Sequence, residues 1–147
     1  MQAESPAPST TQPFSWPVRV YYEDTDAAGV VYYANYLKFM ERARTEWLRV
    51  LGFEQTELAE RLGVAFVVRA FAIEYLRAAR FNDTLQVSVE LIKVGAGQME
   101  LAQRVLKDDA PLAAATVRIV CVEARTFRVM RIPQPLAAKL KTLRTQD

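Results

Sequence analysis

The first clear pattern of hydrophobic positions along the chain has a helical period. One broad apolar stripe recurs at this spacing: Tyr36, Phe39, Met40, Ala43, Trp47, Val50 and Leu51. Charged side chains take most of the other directions, so the pattern predicts an amphipathic helix over residues 35–51. Asn35 is a suitable N-cap and Gly52 a suitable residue just past the C-terminus. A shorter helix is predicted over residues 54–62, ending at Gly63.

From residue 64 onward the apolar positions recur with a period of two, which is typical of half-buried strands. This alternation predicts four strands, over residues 64–73, 85–91, 99–105 and 112–123. The segments at residues 95–97 (GAG) and 108–111 (DDAP) carry turn residues, so neighbouring strands are expected to be antiparallel.

A first strand is predicted over residues 16–22 and a last helix over residues 133–143. The long apolar helix needs one face of a sheet to cover it. The order of elements therefore predicts an α+β fold, in which a curled antiparallel sheet wraps around the long helix.

The chain has 147 residues, a length that favours a single domain with a true core. Residues 1–15 are rich in Pro, Ser, Thr and Gln and are predicted to be a disordered tail, followed by one domain over residues 16–147. The tail lacks the basic and apolar regions of a signal peptide, and no apolar segment has the length of a membrane span. A cytoplasmic location is the default expectation.

The absence of histidine is the most restrictive feature of the composition. With no histidine and one cysteine, the chain alone supplies no Ser-His-Asp site, no Cys-His site and no Cys-rich zinc site. Cys121 lies in an apolar run and is expected to be buried. The net charge of +2 gives no sign of nucleic-acid binding. An enzyme of this composition would use carboxylates, tyrosines, lysines or backbone dipoles.

Candidate chemistry is concentrated in residues 24–36, DTDAAGVVYYANY. Asp24 and Asp26 follow the first strand, Gly29 allows a turn, and the long helix begins soon after. The N–H groups of a helix N-terminus can stabilise negative charge, so a carboxylate beside them has the parts needed to split an activated acyl group. The alternative is structural, because an aspartate in a turn before a helix often forms a cap or an Asx-turn.

These residues resemble the hotdog-fold acyl-CoA thioesterases. The similarity is strongest to the subfamily associated with the Tol-Pal cell-envelope system and extends to the 4-hydroxybenzoyl-CoA thioesterases. It rests on residues 22–32 (YEDTDAAGVVY), 35–37 (NYL), 41–46 (ERARTE), 65–69 (AFVVR) and 120–122 (VCV). The similarity covers the chain from about residue 18 to its end.

The resemblance implies hydrolysis of acyl-CoA or acyl-carrier-protein thioesters, with no metal and no redox cofactor. Asp26 would be the nucleophile or the general base, and the backbone N–H of Tyr33 would bind the thioester oxygen. The substrate is expected to contact Gly29, Val30, Tyr32 and Asn35. Subunits of the family join their sheets edge to edge, so a homodimer or homotetramer with active sites at the interface is expected.

Two features depart from the family pattern. Tyr33 stands where the Tol-Pal-associated subfamily usually has a histidine, whereas the hydroxybenzoyl-type enzymes have an aromatic residue there. A basic cluster that those enzymes carry near the hairpin is reduced to Lys93. The cations left to hold CoA phosphates are Arg69, Arg77, Arg80, Arg125, Arg128 and Arg131.

Several alternatives stay open at this point. Tyr32, Tyr33 and Tyr36 either line an acyl pocket or pack in the core. Glu41 either lies near the site or pairs with Arg44 three residues on. The missing histidine argues against a hotdog hydratase or dehydratase. It also leaves room for a weakly catalytic or non-catalytic module that binds an acyl carrier or an envelope complex.

Overall fold

The computed structural model describes residues 13–144, which form one antiparallel sheet and the helices packed against it. The elements in chain order are β1 (Phe14–Arg19), α1 (Asn35–Val50), α2 (Gln55–Glu57), β2 (Val64–Tyr75), β3 (Thr84–Val94), β4 (Gln98–Lys107), β5 (Ala110–Glu123) and α3 (Gln134–Arg144). The sheet order is β1-β3-β4-β5-β2, so β1 and β2 are the two edges. The α+β prediction, a curled antiparallel sheet around a long helix, is confirmed.

Helix α1 buries the predicted apolar stripe against the sheet. Phe39, Met40 and Ala43 are fully buried. The end of the stripe was predicted wrongly, because Leu48 is buried whereas Val50 is exposed. Asn35 was also wrong as the N-cap: Ala34 takes that position, and the helix has no side-chain cap.

The turns between strands agree with the sequence. Gly95 N–H donates to Gln98 O at 2.7 Å and closes the β3–β4 hairpin. Asp108 and Asp109 have φ values of 51° and 68°, the left-handed conformation that a tight two-residue hairpin turn requires and that aspartate tolerates. Strand β5 therefore begins at Ala110, inside the predicted turn.

The first strand is displaced from its predicted position. Strand β1 begins at Phe14 and ends at Arg19, and a short 3₁₀ turn over Tyr22–Asp24 follows it. Phe14 and Ser15 thus belong to the sheet, while the rest of the predicted tail, up to residue 12, lies outside the described residues.

The remaining elements close the core. Helix α2 continues into a π-helical turn over Leu58–Leu62 and ends at Gly63, as predicted, with φ 69°. Leu136 and Leu140 of α3 are fully buried, and so is Cys121, whose burial raises the pKa of the thiol. None of the helices within residues 13–144 has the length and hydropathy needed to cross a membrane.

Candidate active site

The motif between the 3₁₀ turn and α1 folds into a tight hairpin. Tyr32 N–H donates to Asp24 O at its base, and Asp26 N–H donates to Val30 O near its tip, both at 2.9 Å. Val31 N–H donates to Ala79 O at 2.8 Å, which fastens the hairpin to the segment after β2. The chain leaves this hairpin directly into α1, so the hairpin and the helix N-terminus form one unit.

Asp24 is the buried carboxylate of this unit and has a structural role. It is 4% exposed. Its Oδ2 accepts from Tyr21 N–H at 2.9 Å and its Oδ1 accepts from Asn35 Nδ2 at 2.8 Å. Since buried acceptors need donors, these two bonds account for a carboxylate at this depth. Asp24 ties the strand end to the first turn of α1.

Asp26 is the exposed carboxylate of the hairpin. Its Oδ1 accepts from Ala28 N–H at 2.9 Å, an Asx-turn that orients the side chain at the tip. Its backbone O accepts from Gly29 N–H at 3.0 Å. Gly29 has φ 84°, a backbone conformation that favours glycine over other residues. A Cβ placed there would meet no atom within 4 Å. The carboxylate is therefore oriented but keeps open space around the tip.

Tyr33 carries a free backbone donor at the start of α1. Within residues 13–144 its N–H meets no acceptor. The carbonyl of the preceding residue, Tyr32, accepts from Asn35 N–H at 2.8 Å. Because C=O and N–H point in opposite directions across a trans peptide, this bond turns the Tyr33 N–H outward from the helix.

The side chains around this donor form an aromatic cluster, which we define as Tyr32, Tyr33, Tyr36 and Tyr75. Of the two alternatives for Tyr36, the structure shows the core: it is 3% exposed and its Oη accepts from Ala79 N–H at 3.0 Å. Tyr32 and Tyr33 are exposed, with ring centroids 4.7 Å apart. Tyr75, at the end of β2, was missed by sequence reasoning because it lies 42 residues from Tyr33.

The remaining predicted substrate contacts differ in their surroundings. Val30 is half-buried and forms an isolated bridge with Arg80. Asn35 is buried and its side chain is engaged with Asp24. Gly29 and Tyr32 are exposed. Asp26, Gly29, Val30, Tyr32 and Tyr33 are thus exposed or half-buried residues of the hairpin and the approach to α1, whereas Asn35 is buried.

A cleft of about 290 Å³ lies further along α1, between the helix and strands β2, β4 and β5. Its walls include Trp47, Phe66 and Met99, and its polar groups include Arg44. Arg44 Nη1 donates to Gln103 Oε1 at 2.9 Å. Burial lowers the pKa of the Arg44 guanidinium, and the nearby Glu41 opposes that shift.

Of the two alternatives that the sequence left open for Glu41, the structure favours a place beside the cleft over an ion pair with Arg44. Glu41 lines the same cleft, but no ion pair joins it to Arg44 in the described part of the chain. The reason is the fully buried Gln103, which holds the guanidinium and itself donates to Met40 O at 3.1 Å. The sequence did hold a sign of this contact, because Gln103 is a polar residue at an inward position of the alternating β4 pattern.

Comparison with known proteins agrees with this architecture. Residues 20–140 match the family model described as the thioesterase-like superfamily. The chain is 45% identical over 131 residues to the acyl-CoA thioesterase YbgC of Haemophilus influenzae, covering 89% of this chain and 96% of that protein. It is 30% identical over 131 residues to a 1,4-dihydroxy-2-naphthoyl-CoA hydrolase of Nostoc punctiforme, covering 89% and 88%.

Solved structures show the same fold. The crystal structure of a probable thioesterase from Bartonella henselae superposes with a TM-score of 0.80 at 33% identity, covering 83% of this chain and 100% of that one. The family model covers most of the chain, and the relatives align over nearly their whole length. The chain therefore belongs to the thioesterase-like superfamily and has the hotdog fold.

Proposed function

We propose that this chain is an acyl-CoA thioesterase in which Asp26 attacks the thioester, or activates the water that does, while the Tyr33 N–H binds the thioester oxygen. One observation carries the proposal. An exposed, oriented carboxylate stands on the hairpin that leads directly into a helix N-terminus, where the Tyr33 N–H has no partner within residues 13–144. The similarity to curated acyl-CoA thioesterases supports the reaction class.

The two groups perform complementary parts of the reaction. As the carbonyl carbon becomes tetrahedral, negative charge develops on its oxygen. A backbone N–H at the positive end of a helix dipole stabilises that charge. If Asp26 attacks, the C–S bond breaks, CoA leaves as thiolate, and water then hydrolyses the mixed anhydride. If Asp26 acts as base, it takes the proton of the attacking water. No step needs an imidazole.

A dimer that pairs β2 with β2 completes the site in this proposal. Strand β2 is a twelve-residue edge strand with exposed apolar side chains, among them Val67, Val68 and Tyr75. An unpaired apolar edge of this length is a liability that pairing with a second copy removes. The opposite edge, β1, is only six residues long and contains Pro17.

Antiparallel pairing also explains how the cleft beside Arg44 serves the reaction. Arg44 is eleven residues beyond Tyr33 on the helix, about 16 Å at 1.5 Å per residue, which is too far for a short acyl group within one chain. Across a two-fold axis, the Phe66 end of one β2 lies beside the Tyr75 end of the other. The cleft of one copy then faces the Tyr33 of its partner and receives the acyl group.

The same proposal includes the subfamily, the carrier of the thioester, the location of the protein and the groups that hold CoA phosphates. The motif over residues 22–32 and the similarity to the YbgC proteins support membership of the Tol-Pal-associated subfamily. An acyl carrier protein is an alternative carrier of the thioester. A cytoplasmic location suits a lone buried cysteine. The six arginines available for CoA phosphates are all exposed.

The test of the mechanism is Asp26→Asn, assayed with short-chain, long-chain and aromatic acyl-CoAs by trapping the released thiol. We expect kcat to fall by roughly 10²–10⁴-fold, the scale of losing a catalytic acid–base or nucleophilic group. Asp109→Asn is the matched control, because it makes the same change at another exposed hairpin turn. Wild-type turnover by Asp26→Asn would refute the mechanism. Wild-type protein that turns over no thioester would favour the binding-module alternative.

The dimer is tested by sedimentation equilibrium of the wild type and of Val68→Glu. We expect a dimer or tetramer for the wild type. Two buried like charges at the paired edge should dissociate the variant. A monomeric wild type with full activity would contradict the two-chain site.

A further inference from the structure

Tyr75 makes a direct hydrogen bond to the residue that carries the proposed oxyanion donor. Its Oη donates to Tyr33 O at 3.2 Å. The same carbonyl also accepts from Tyr36 N–H at 3.3 Å, a longer bond than those from Asn35 N–H to Tyr32 O at 2.8 Å and from Leu37 N–H to Ala34 O at 3.1 Å. Of these three bonds the one to Tyr33 O is the longest, and the phenol supplies a second donor to that carbonyl.

The ring of Tyr75 is held by its neighbours. It packs edge-on against Tyr36, with centroids 5.4 Å apart at 62°, and against Tyr33, with centroids 6.2 Å apart at 82°. Tyr36 is itself fixed by the N–H of Ala79 and by contact with Phe39. Burial, followed by the neighbouring Tyr33 and Tyr36, raises the pKa of Tyr75, so its hydroxyl stays protonated at neutral pH.

The peptides on both sides of the Tyr33 Cα are therefore restrained. The Tyr32 carbonyl is held by Asn35 N–H, and the Tyr33 carbonyl by the Tyr75 hydroxyl. Stabilisation of an oxyanion depends on donors that are already in place when the charge develops. A Tyr33 free to rotate would lose part of this effect, even with its N–H still present.

We propose that Tyr75 is a positioning residue for thioester hydrolysis, whose hydroxyl holds the first turn of α1 so that the Tyr33 N–H points at the thioester oxygen. The inference rests on the proposed role of the Tyr33 amide. Tyr75 acts through Tyr33 and needs no contact with the reacting atoms. Its place at the end of β2 makes the sheet edge part of the support for the catalytic centre.

The experiment compares Tyr75→Phe with wild type on the acyl-CoA that the wild type hydrolyses fastest. Phenylalanine keeps the ring contacts and removes only the hydroxyl. We expect kcat to fall by about 10-fold, less than the ~10²–10³-fold of a deleted oxyanion donor. KM should stay within about twofold, and so should the Kd of a non-hydrolysable thioether analogue of the substrate. The melting temperature should change little.

Tyr22→Phe is the matched control, because Tyr22 is exposed and its ring stacks on Phe81 with centroids 4.2 Å apart. It should keep wild-type kcat. Wild-type kcat in Tyr75→Phe would overturn the inference. So would a parallel rise of KM and analogue Kd with a lower melting temperature, since that pattern indicates a purely structural role.

The Asp26→Asn variant separates this inference from the function on which it rests. If Asp26→Asn is inactive and Tyr75→Phe keeps full kcat, only the positioning role fails. If Asp26→Asn keeps full activity, the mechanism itself fails, whatever Tyr75→Phe does.

Discussion

The base and the tip of the hairpin over residues 24–32 carry the same side chain in opposite settings. At the base, Asp24 is buried and accepts from Tyr21 N–H and Asn35 Nδ2. At the tip, Asp26 is exposed, and among the described residues its carboxylate accepts only from the N–H of Ala28. Two residues of separation are enough to give two aspartates opposite environments, because a hairpin ties its base to the core and leaves its tip in solvent.

The comparison is tested most strongly by removing each carboxylate in turn. Asp24→Ala removes the acceptor of one buried donor, Asn35 Nδ2, and of one part-buried donor, Tyr21 N–H. We expect it to lower the free energy of unfolding by about 2–4 kcal/mol. Asp26→Ala breaks one exposed Asx-turn hydrogen bond. It should change the free energy of unfolding little but abolish turnover. Urea denaturation followed by tryptophan fluorescence measures both variants. Equal destabilisation by the two substitutions would remove the distinction.

The tip can also be probed through its backbone. Gly29→Ala places a side chain at φ 84°, a conformation strained for alanine although the space around it is open. We expect a loss of about 1 kcal/mol in unfolding free energy. Gly95→Ala is the control, because a Cβ there would meet Gln98 Cγ at an ordinary 3.7 Å. A loss at Gly95 as large as that at Gly29 would contradict the conformational explanation.

Asp83, in the turn before β3, provides an intermediate case. Burial tends to raise its pKa, but the N–H of Arg80 and the ammonium of Lys107 outweigh that and lower it. A carboxylate whose folded pKa is depressed adds stability above its unfolded pKa, near 4. That stability is lost as the pH falls through the folded pKa. The stability difference between wild type and Asp83→Asn should therefore shrink, by less than about 1 kcal/mol, between pH 5 and pH 2.

Lys107→Met is the partner variant for this measurement. It removes one cause of the lowered pKa and keeps the carboxylate, so its acid-side loss of stability should begin at a higher pH than in wild type. Parallel curves of stability against pH for wild type and Asp83→Asn would show that Asp83 contributes no pH-dependent stability over this range.

Local features of the fold were predictable from the sequence because their causes are local. The stripe of α1, the left-handed Gly63 and the GAG hairpin turn depend on residues within a few positions of each other. One error concerned the start of the same helix. The N-cap of α1 was shifted by one residue, since Asn35 turned its amide to Asp24 instead of the helix N-terminus.

The candidate site was predictable only in part. Its motif identified Asp26 and the Tyr33 amide, and both roles stay proposals. The contacts around them join distant residues: Tyr75 with Tyr33 across 42 positions, and Arg44 with Gln103 across 59. No spacing rule pairs such residues, and the i, i+3 rule that paired Arg44 with Glu41 gave the wrong partner.

By itself, the sequence determined the order of helices and strands, the excluded chemistries and the family. These depend on the hydrophobic period, the turn residues and the absence of histidine, which are properties of the chain whatever its tertiary structure. The tertiary structure decided which aspartate is buried, which N–H stays free and which phenol supports it. Burial and hydrogen-bond partners depend on which segments the folded sheet and helix bring together, and neighbours in space are not neighbours in sequence.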